Sequence, residues 1–472
     1  MTAELDNEKL DIGGLCKTMA KIAIPISLQS LITVAINLAD TVMLSGCGAN
    51  ELDSELQLTA ATLAGNFINL FMIFCMGIGM GASVLTSRFW GMKDKLSLKR
   101  AITIMLRFAF IFSMIFTLAT LFAPDLIMRM YTSDAQTIAY GVTYLRWLLP
   151  TYLAMGFSLT CTIVLRTVGQ VRIPLMSSVS ALFVNIFFNW MFIYGRLGAP
   201  RMEIAGAALG TLIARIFELL FICGYFFFID KRIAYRIKDI TMKCSALIRE
   251  YIRISIPVLV SDGLLALGNS AVAMVMGRIG SAFVSANAVT TVVQQLSSVL
   301  TTGVGNASGI ITGHTMGEGN YKKAQKQGYA FVVIGFIIGI VAAIIIFITK
   351  NPVISFYDVT PESKAIAHEL TYSIMIIMLF QAVSSILTKG VLRAGGDTKF
   401  LMMGDILFLW IASVPLGALA GLVLGWPSFW IYFFLKIDQI IKCFWCIQRL
   451  HSGKWLKKIK RSEDVEQAEA HQ

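Results

Sequence analysis

Four polar side chains interrupt the first long apolar stretch of this chain at a spacing that could do chemistry: Gln29, Thr33, Asn37 and Asp40. They recur every three or four residues, so on a helix they share one face, the pattern of a polar stripe lining a cavity inside a membrane bundle. Asp40 is the member able to take up and release a proton. A carboxylate in hydrocarbon is expensive unless it faces a polar cavity or has a partner, so an intramembrane aspartate reads as functional; the alternative is an interfacial residue just inside the outer surface. Asn185 and Asn189, four apart and therefore also on one helix face, supply amides able to hydrogen-bond such a carboxylate, although amides of this kind also serve simply to hold helices together.

The chain that must position these residues is 56% hydrophobic and 14% charged, too apolar for a domain whose surface meets water. Apolar runs fall at about 22–46, 58–84, 101–122, 138–160, 173–194, 204–229, 254–277, 285–311, 329–349, 367–388, 400–420 and 428–448. This predicts an all-α integral membrane protein of about twelve transmembrane helices, with no soluble catalytic or nucleotide-binding domain. The net charge of +12 marks topology rather than nucleic-acid binding. Most of the Lys and Arg fall in alternate loops (88–100, 166–172, 231–253, 322–326, 389–399) and in the tail from Arg449, the positive-inside pattern that places both termini in the cytoplasm. The expected segments are a cytoplasmic N-terminus (1–21), an N-terminal lobe (22–230), a cytoplasmic linker (231–253), a C-terminal lobe (254–448) and a basic, polar cytoplasmic tail (449–472). The acidic start, with Glu4, Asp6, Glu8 and Asp11, does not read as a signal peptide, so the first helix is expected to be retained in an inner (plasma) membrane.

The second six runs repeat the first six. Lys21-Ile-Ala-Ile-Pro25 matches Arg253-Ile-Ser-Ile-Pro257, and Asn37 falls on Asn269 in the same register. Gly77-Ile-Gly79, Thr86 and Gly91 match Gly303-Val-Gly305, Thr312 and Gly317, and Val164-Leu-Arg166-Thr-Val-Gly169 matches Val391-Leu-Arg393-Ala-Gly-Gly396. A duplicated unit with an even number of spans gives parallel repeats and a central cleft between two lobes, an arrangement suited to alternating access.

Pro25 and Asp40, Arg88-Phe-Trp-Gly91, Asn185-Ile-Phe-Phe-Asn189, Gly206-Ala-Ala-Leu-Gly-Thr211 and Val391-Leu-Arg-Ala-Gly-Gly-Asp397 together resemble the multidrug and toxic compound extrusion family from about residue 18 to 450. The resemblance implies a V-shaped twelve-helix bacterial antiporter that exports amphiphilic, often cationic, compounds against protons or sodium ions. It also implies an ion-coupling site at Asp40 with Asn37, Asn185 and Asn189, and bending of the first helix near Pro25. In the repeat register Asp40 falls on Val272, and the acidic position of helix ten in sodium-coupled NorM-type members is Ala382. Proton coupling of the DinF type is therefore favoured, with a sodium site in the first lobe as the alternative.

Gln29, Thr33, Thr211, Asp262, Asn269, Gln294 and Gln295 are the candidates for the substrate cleft. Arg215 with Glu218 and Asp438 with Lys442 are spaced for intrahelical ion pairs; Asp405 has no obvious partner; Lys389, Arg393 and Lys399 read as interfacial anchors. The eight cysteines are scattered singly and imply no disulfide framework, and Cys443 and Cys446 inside the last run read as packing. His314, His368, His451 and His471 are dispersed, which argues against a metal site, a cofactor or an intramembrane transferase. The expected partners are small amphiphiles and membrane lipids, with no nucleic acid, and one chain carrying both lobes is expected to act as a monomer. A lipid or oligosaccharide flippase of the same superfamily is the runner-up, and would call for several basic residues in the cleft.

Overall fold

In a computed structural model, which describes residues 11–45, 47–48, 51–357 and 360–458, the apolar runs fold into helices. Helix is the one open-ended structure that satisfies every backbone N–H and C=O within its own segment, as a bilayer demands. In chain order the segments are α1 Ile12–Leu44, α2 Glu51–Gly91, α3 Lys95–Phe122, α4 (Ala135–Trp147 then Leu149–Thr167), α5 Arg172–Tyr194 and α6 Glu203–Ile229. The second set is α7 Ser245–Ile279, α8 Ser281–Gly317, α9 Tyr321–Phe356, α10 Pro361–Ala394, α11 Thr398–Val423 and α12 (Ser428–Leu435 then Asp438–His451). No strand is found among the described residues, and ten of the segments are long and apolar enough to cross a membrane. The other two are α8, diluted by Ser, Thr, Asn, Gln and Gly, and α12, broken at Lys436 and Ile437. The protein is therefore a multi-pass membrane protein. The first ten residues of the expected N-terminal segment and residues 459–472 of the tail, including His471, lie outside the described residues.

The backbone repeats with the sequence. Gly91 ends α2 and Gly317 ends α8; Lys95 begins α3 and Tyr321 begins α9. Gly169 and Gly396, paired by the third sequence match, both turn the chain in the left-handed region, with φ of 78° and 76°, where a side chain would be strained. Two compact units result, one from 28–86 and 95–251, the other from 11–27, 87–94 and 252–458. The first part of α1 and the turn after α2 group with the second half, and residues 231–251 with the first.

In the unit holding the second half, α8 carries glycine at 305, 309, 313 and 317, one per turn on one face. A Cβ on Gly309 would stand 3.2 Å from the Cα of Gly390, and one on Gly317 would stand 2.9 Å from the Cα of Gly91. Arg88, 2% exposed, donates to the carbonyls of Ala394 (2.8 Å) and Lys457 (2.6 Å). Asp397 accepts from Arg449 at 2.6 Å. The Arg88 and Arg393-to-Asp397 motifs thus serve as structural clamps at this end of the unit. In the unit holding the first half, the linker is fixed to α3: Lys99 pairs with Asp239 at 2.8 Å, Arg107 donates to the carbonyls of Ile240 and Met242, and Tyr251 stacks on Phe108. Burial works against the charge of Asp239, but the Lys99 ammonium and the Arg236 N–H outweigh it and hold its carboxyl below the usual value of 3.8.

Candidate functional site

Two glycines set the distance between the helices that meet at Asp40. Gly206 and Gly210 lie one turn apart on α6; a Cβ at 206 would stand 2.6 Å from the Phe192 carbonyl, and one at 210 would stand 2.8 Å from the Asn189 nitrogen. Because neither carries a side chain, α6 packs directly on α5 and Asn189 lies against its backbone. Asn185 and Asn189 are 1% and 0% exposed. The far end of α1 is pinned as well: Tyr194 donates to the Met43 carbonyl at 2.9 Å and Arg201 to that of Cys47 at 2.6 Å.

Within that frame Asp40 Oδ1 accepts a hydrogen bond from Asn189 Nδ2 at 2.5 Å. The same Nδ2 reaches Asn185 Oδ1 at 3.4 Å, and Asn185 Nδ2 reaches Thr211 Oγ1 at 3.4 Å. Asn189 Oδ1 is buried with no hydrogen-bond partner. The carboxylate forms part of the wall of a cavity of about 330 Å³, lined also by Thr33, Asn37, Asn66, Asn69, Asn185, Thr211 and Arg215, with Met72, Tyr144 and Met155 among its less polar faces. Arg215 is tied to Glu218 at 2.8 Å, the pair expected from their spacing. The site therefore offers one acid, a chain of neutral amides and a hydroxyl beside a space able to hold part of a small molecule.

The structure brings together Asp40, Asn37, Asn185, Asn189, Thr33 and Thr211. Gln29 does not line the cavity: its Nε2 donates to Ser178 Oγ at 2.8 Å and its Oε1 accepts from Arg166 of α4, so both ends of the amide are taken by neighbouring helices. Pro25 lies inside α1 without ending it. Asn66, Asn69 and Tyr144 were not singled out by sequence. The two asparagines lie three apart on α2 and carry the same same-face signal as Asn185 and Asn189, which could have found them.

The other unit arranges its polar residues as pairs. Asp262 faces Arg393 at 3.6 Å, and Asn269 accepts from Lys436 at 3.1 Å. Gln294 contacts Gln381 and Tyr432, each at 3.4 Å, while Gln295 is exposed. Asp405, left partnerless by sequence, pairs with Lys442 at 2.9 Å, and Lys442 also pairs with Asp438 at 3.1 Å. Arg393 is 7% exposed, so it is a buried partner of Asp262 rather than a snorkelling anchor. Val272, the repeat counterpart of Asp40, belongs to the apolar core of this unit. Among the described residues no group of three or more His, Cys, Asp or Glu could hold a metal ion.

Repeated six-helix units, each crossing the membrane, with an ionisable group set at an internal polar cavity, define a transporter rather than an enzyme. The chain belongs to the MatE family, whose model matches residues 25–191 and 257–419, once in each repeat. It is 23% identical to the probable multidrug resistance protein NorM of Thermotoga maritima, covering 95% of each chain. It is 22% identical to the multidrug resistance protein MdtK of Yersinia enterocolitica (90% of this chain, 93% of that one), and 22% identical to the uncharacterized transporter YisQ of Bacillus subtilis (92% and 94%). Among solved structures, a MOP superfamily transporter from Pyrococcus furiosus shares the fold at a TM-score of 0.80 and 20% identity, over 93% of this chain and 96% of that one. A MATE structure in a bent conformation shares it at 0.82 and 20%, over the same shares.

Proposed function

We propose that this protein is a secondary active exporter that moves amphiphilic, often cationic, small molecules out of the cell against an inward flow of protons through Asp40. It would do so by alternating access, as a monomer in the inner (plasma) membrane with both termini cytoplasmic. The observation that carries the reading is the bond from Asn189 to Asp40: a carboxylate at the wall of a cavity, held by a neutral amide. No ion pair to Asp40 occurs among the described residues, so its charge is available to a proton or a cationic ligand.

Protonation gives the carboxyl a donor beside its remaining acceptor, a proton that Asn189 Nδ2 cannot accept. The unpartnered Oδ1 of the same amide can, once the amide turns over about its own axis. Asn185 and Thr211 follow in the chain of bonds, which gives the protonated and unprotonated states different packing between α1, α5 and α6. A substrate whose affinity differs between those states is thereby coupled to the proton. Gln29, bonded to Ser178 and Arg166, would hold the part of α1 that lies between this site and Pro25.

Oxygen atoms of Asp40, Asn37, Asn185 and Thr211 around one cavity would also suit a sodium ion, so the test separates the two. In proteoliposomes, uptake or release of a fluorescent lipophilic cation is followed under an imposed proton gradient and, separately, a sodium gradient. Proton-driven transport that disappears in Asp40→Asn supports the proposal. Transport driven by sodium alone makes the same site a sodium site, and transport unaffected by Asp40→Asn removes Asp40 from the mechanism. Protease access to tags at each terminus of the protein in intact cells checks the orientation.

A further inference from the structure

The cavity at Asp40 carries charge of both signs. Among the described residues that line it, two side chains are ionisable groups of opposite sign, Asp40 on α1 and Arg215 on α6, and the remaining polar ones are neutral amides and hydroxyls. The two charges are not spent on each other. Asp40 accepts from Asn189, while Arg215 donates from Nη1 to Glu218 at 2.8 Å. The Arg215 charge still acts on Asp40 and on Tyr144, both in the cavity wall, so its guanidinium, and not only its stem, belongs to the site. Glu218, three residues further along α6, is not part of the lining. It takes one of the five N–H donors of the fork, and Nε and Nη2 make no hydrogen bond among the described residues. The Arg215 side chain is 24% exposed, against 5% for Lys442 in the closed triad of the other unit, so these donors can be reached.

An arginine in a spanning helix is expensive, and one that keeps donors open to a cavity points to a ligand. An acid and a base that face one cavity without neutralising each other are complementary to a molecule carrying both signs. A purely cationic ligand at Asp40 would lie near a guanidinium of like charge, and an uncharged one would leave both groups unmatched. We propose that the ligand of this cavity is amphoteric: its cationic part lies at Asp40, and a carboxylate on the same molecule is held by Arg215 Nε and Nη2. Its apolar body rests on Met72, Tyr144 and Met155. A carboxylate suits the fork better than a phosphate monoester does. It is planar, accepts two parallel bonds, and brings a single charge to a cation already shared with Glu218. Arg215 is thereby a specificity-determining residue, with Glu218 positioning it. Calling the ligand the transported substrate rests on the proposed function; the recognition chemistry does not.

The test is equilibrium binding to the full-length protein in a neutral detergent, with no ion gradient, read by fluorescence anisotropy at alkaline pH. The probes are a rhodamine whose benzoic acid is free, which carries both charges, and the methyl ester of the same dye, which is a cation only. The expected result is that the acid binds about tenfold tighter than the ester, the scale of one charge-assisted hydrogen bond. Arg215→Lys keeps a cation for Glu218 but lacks the fork, and should lose most of that preference. Arg215→Met with Glu218→Leu removes the pair together, should also abolish the preference, and keeps the proposal testable if the lysine variant does not fold. Asp40→Asn should weaken both dyes alike and preserve their ratio. Equal binding of acid and ester by the native protein overturns the proposal, as does a preference that survives both changes at Arg215. Because the ratio is measured without a gradient, failure of ion-driven transport and failure of this site are read separately.

Discussion

Asp40 in one unit and Asp405 in the other are both carboxylates set in membrane-spanning helices, and they are held by different chemistry. Asp405 shares Lys442 with Asp438, at 2.9 and 3.1 Å, and Ser261 and Ser413 complete the shell. Asp40 has an amide and a cavity. A buried lysine between two acids commits all three charges, since removing the lysine leaves both acids uncompensated. A neutral amide commits nothing, because it can offer a donor or an acceptor. The comparison teaches that an acid in a membrane helix is not by itself a sign of ion coupling; its partner decides whether the charge is structural or exchangeable.

The sharpest way to break this contrast is Lys442→Met. It leaves two carboxylates buried without a cation and should cost about 3–5 kcal/mol, seen as a large fall in unfolding temperature and in detergent-extracted yield. Asp405→Asn, which leaves Lys442 paired with Asp438, should cost clearly less; an equal loss would mean that the triad is not held as described. Asp40→Asn should behave in the opposite sense. Stability changes little, whereas proton-driven transport falls by about a hundredfold or more, equivalent to about 2.7 kcal/mol of lost coupling. Gly210→Ala sharpens the comparison at one remove, because the added methyl meets Asn189. Overpacking of about 1–3 kcal/mol should appear together with a transport defect, and the same change at Gly224, where an added Cβ meets nothing within 4 Å, should show neither. The smallest effect is expected at the linker. The carboxyl of Asp239 is held below its unfolded value, so the stability it adds is present above pH 3.8 and disappears as pH falls through its lowered value. Lys99→Met should reduce that acid-side loss, measured by hydrogen exchange over 237–241 at pH 3 and pH 6.

Much of the fold could be read directly from the residues. Long apolar runs, the placement of basic residues and the matches at Pro25 and Pro257, Gly91 and Gly317, and Gly169 and Gly396 reflect local rules, because helix and turn are decided within a few residues. The pair Asn185 and Asn189 was legible for the same reason, as were Arg215 with Glu218 and Asp438 with Lys442. What sequence left open were contacts between helices far apart along the chain: Lys442 for Asp405, Arg393 for Asp262, and Arg166 for Gln29. Nothing in their spacing marks these partners.

The sequence by itself determined that this chain crosses a membrane repeatedly as two copies of one unit and that Asp40 is an acid on a polar helix face, since periodicity and composition act locally. Only the tertiary structure decided which acids are free. The cost of burying a charge depends on what stands within a few ångströms of it, and that is set by the packing of helices such as α5 on Gly206 and Gly210, not by neighbours in the chain.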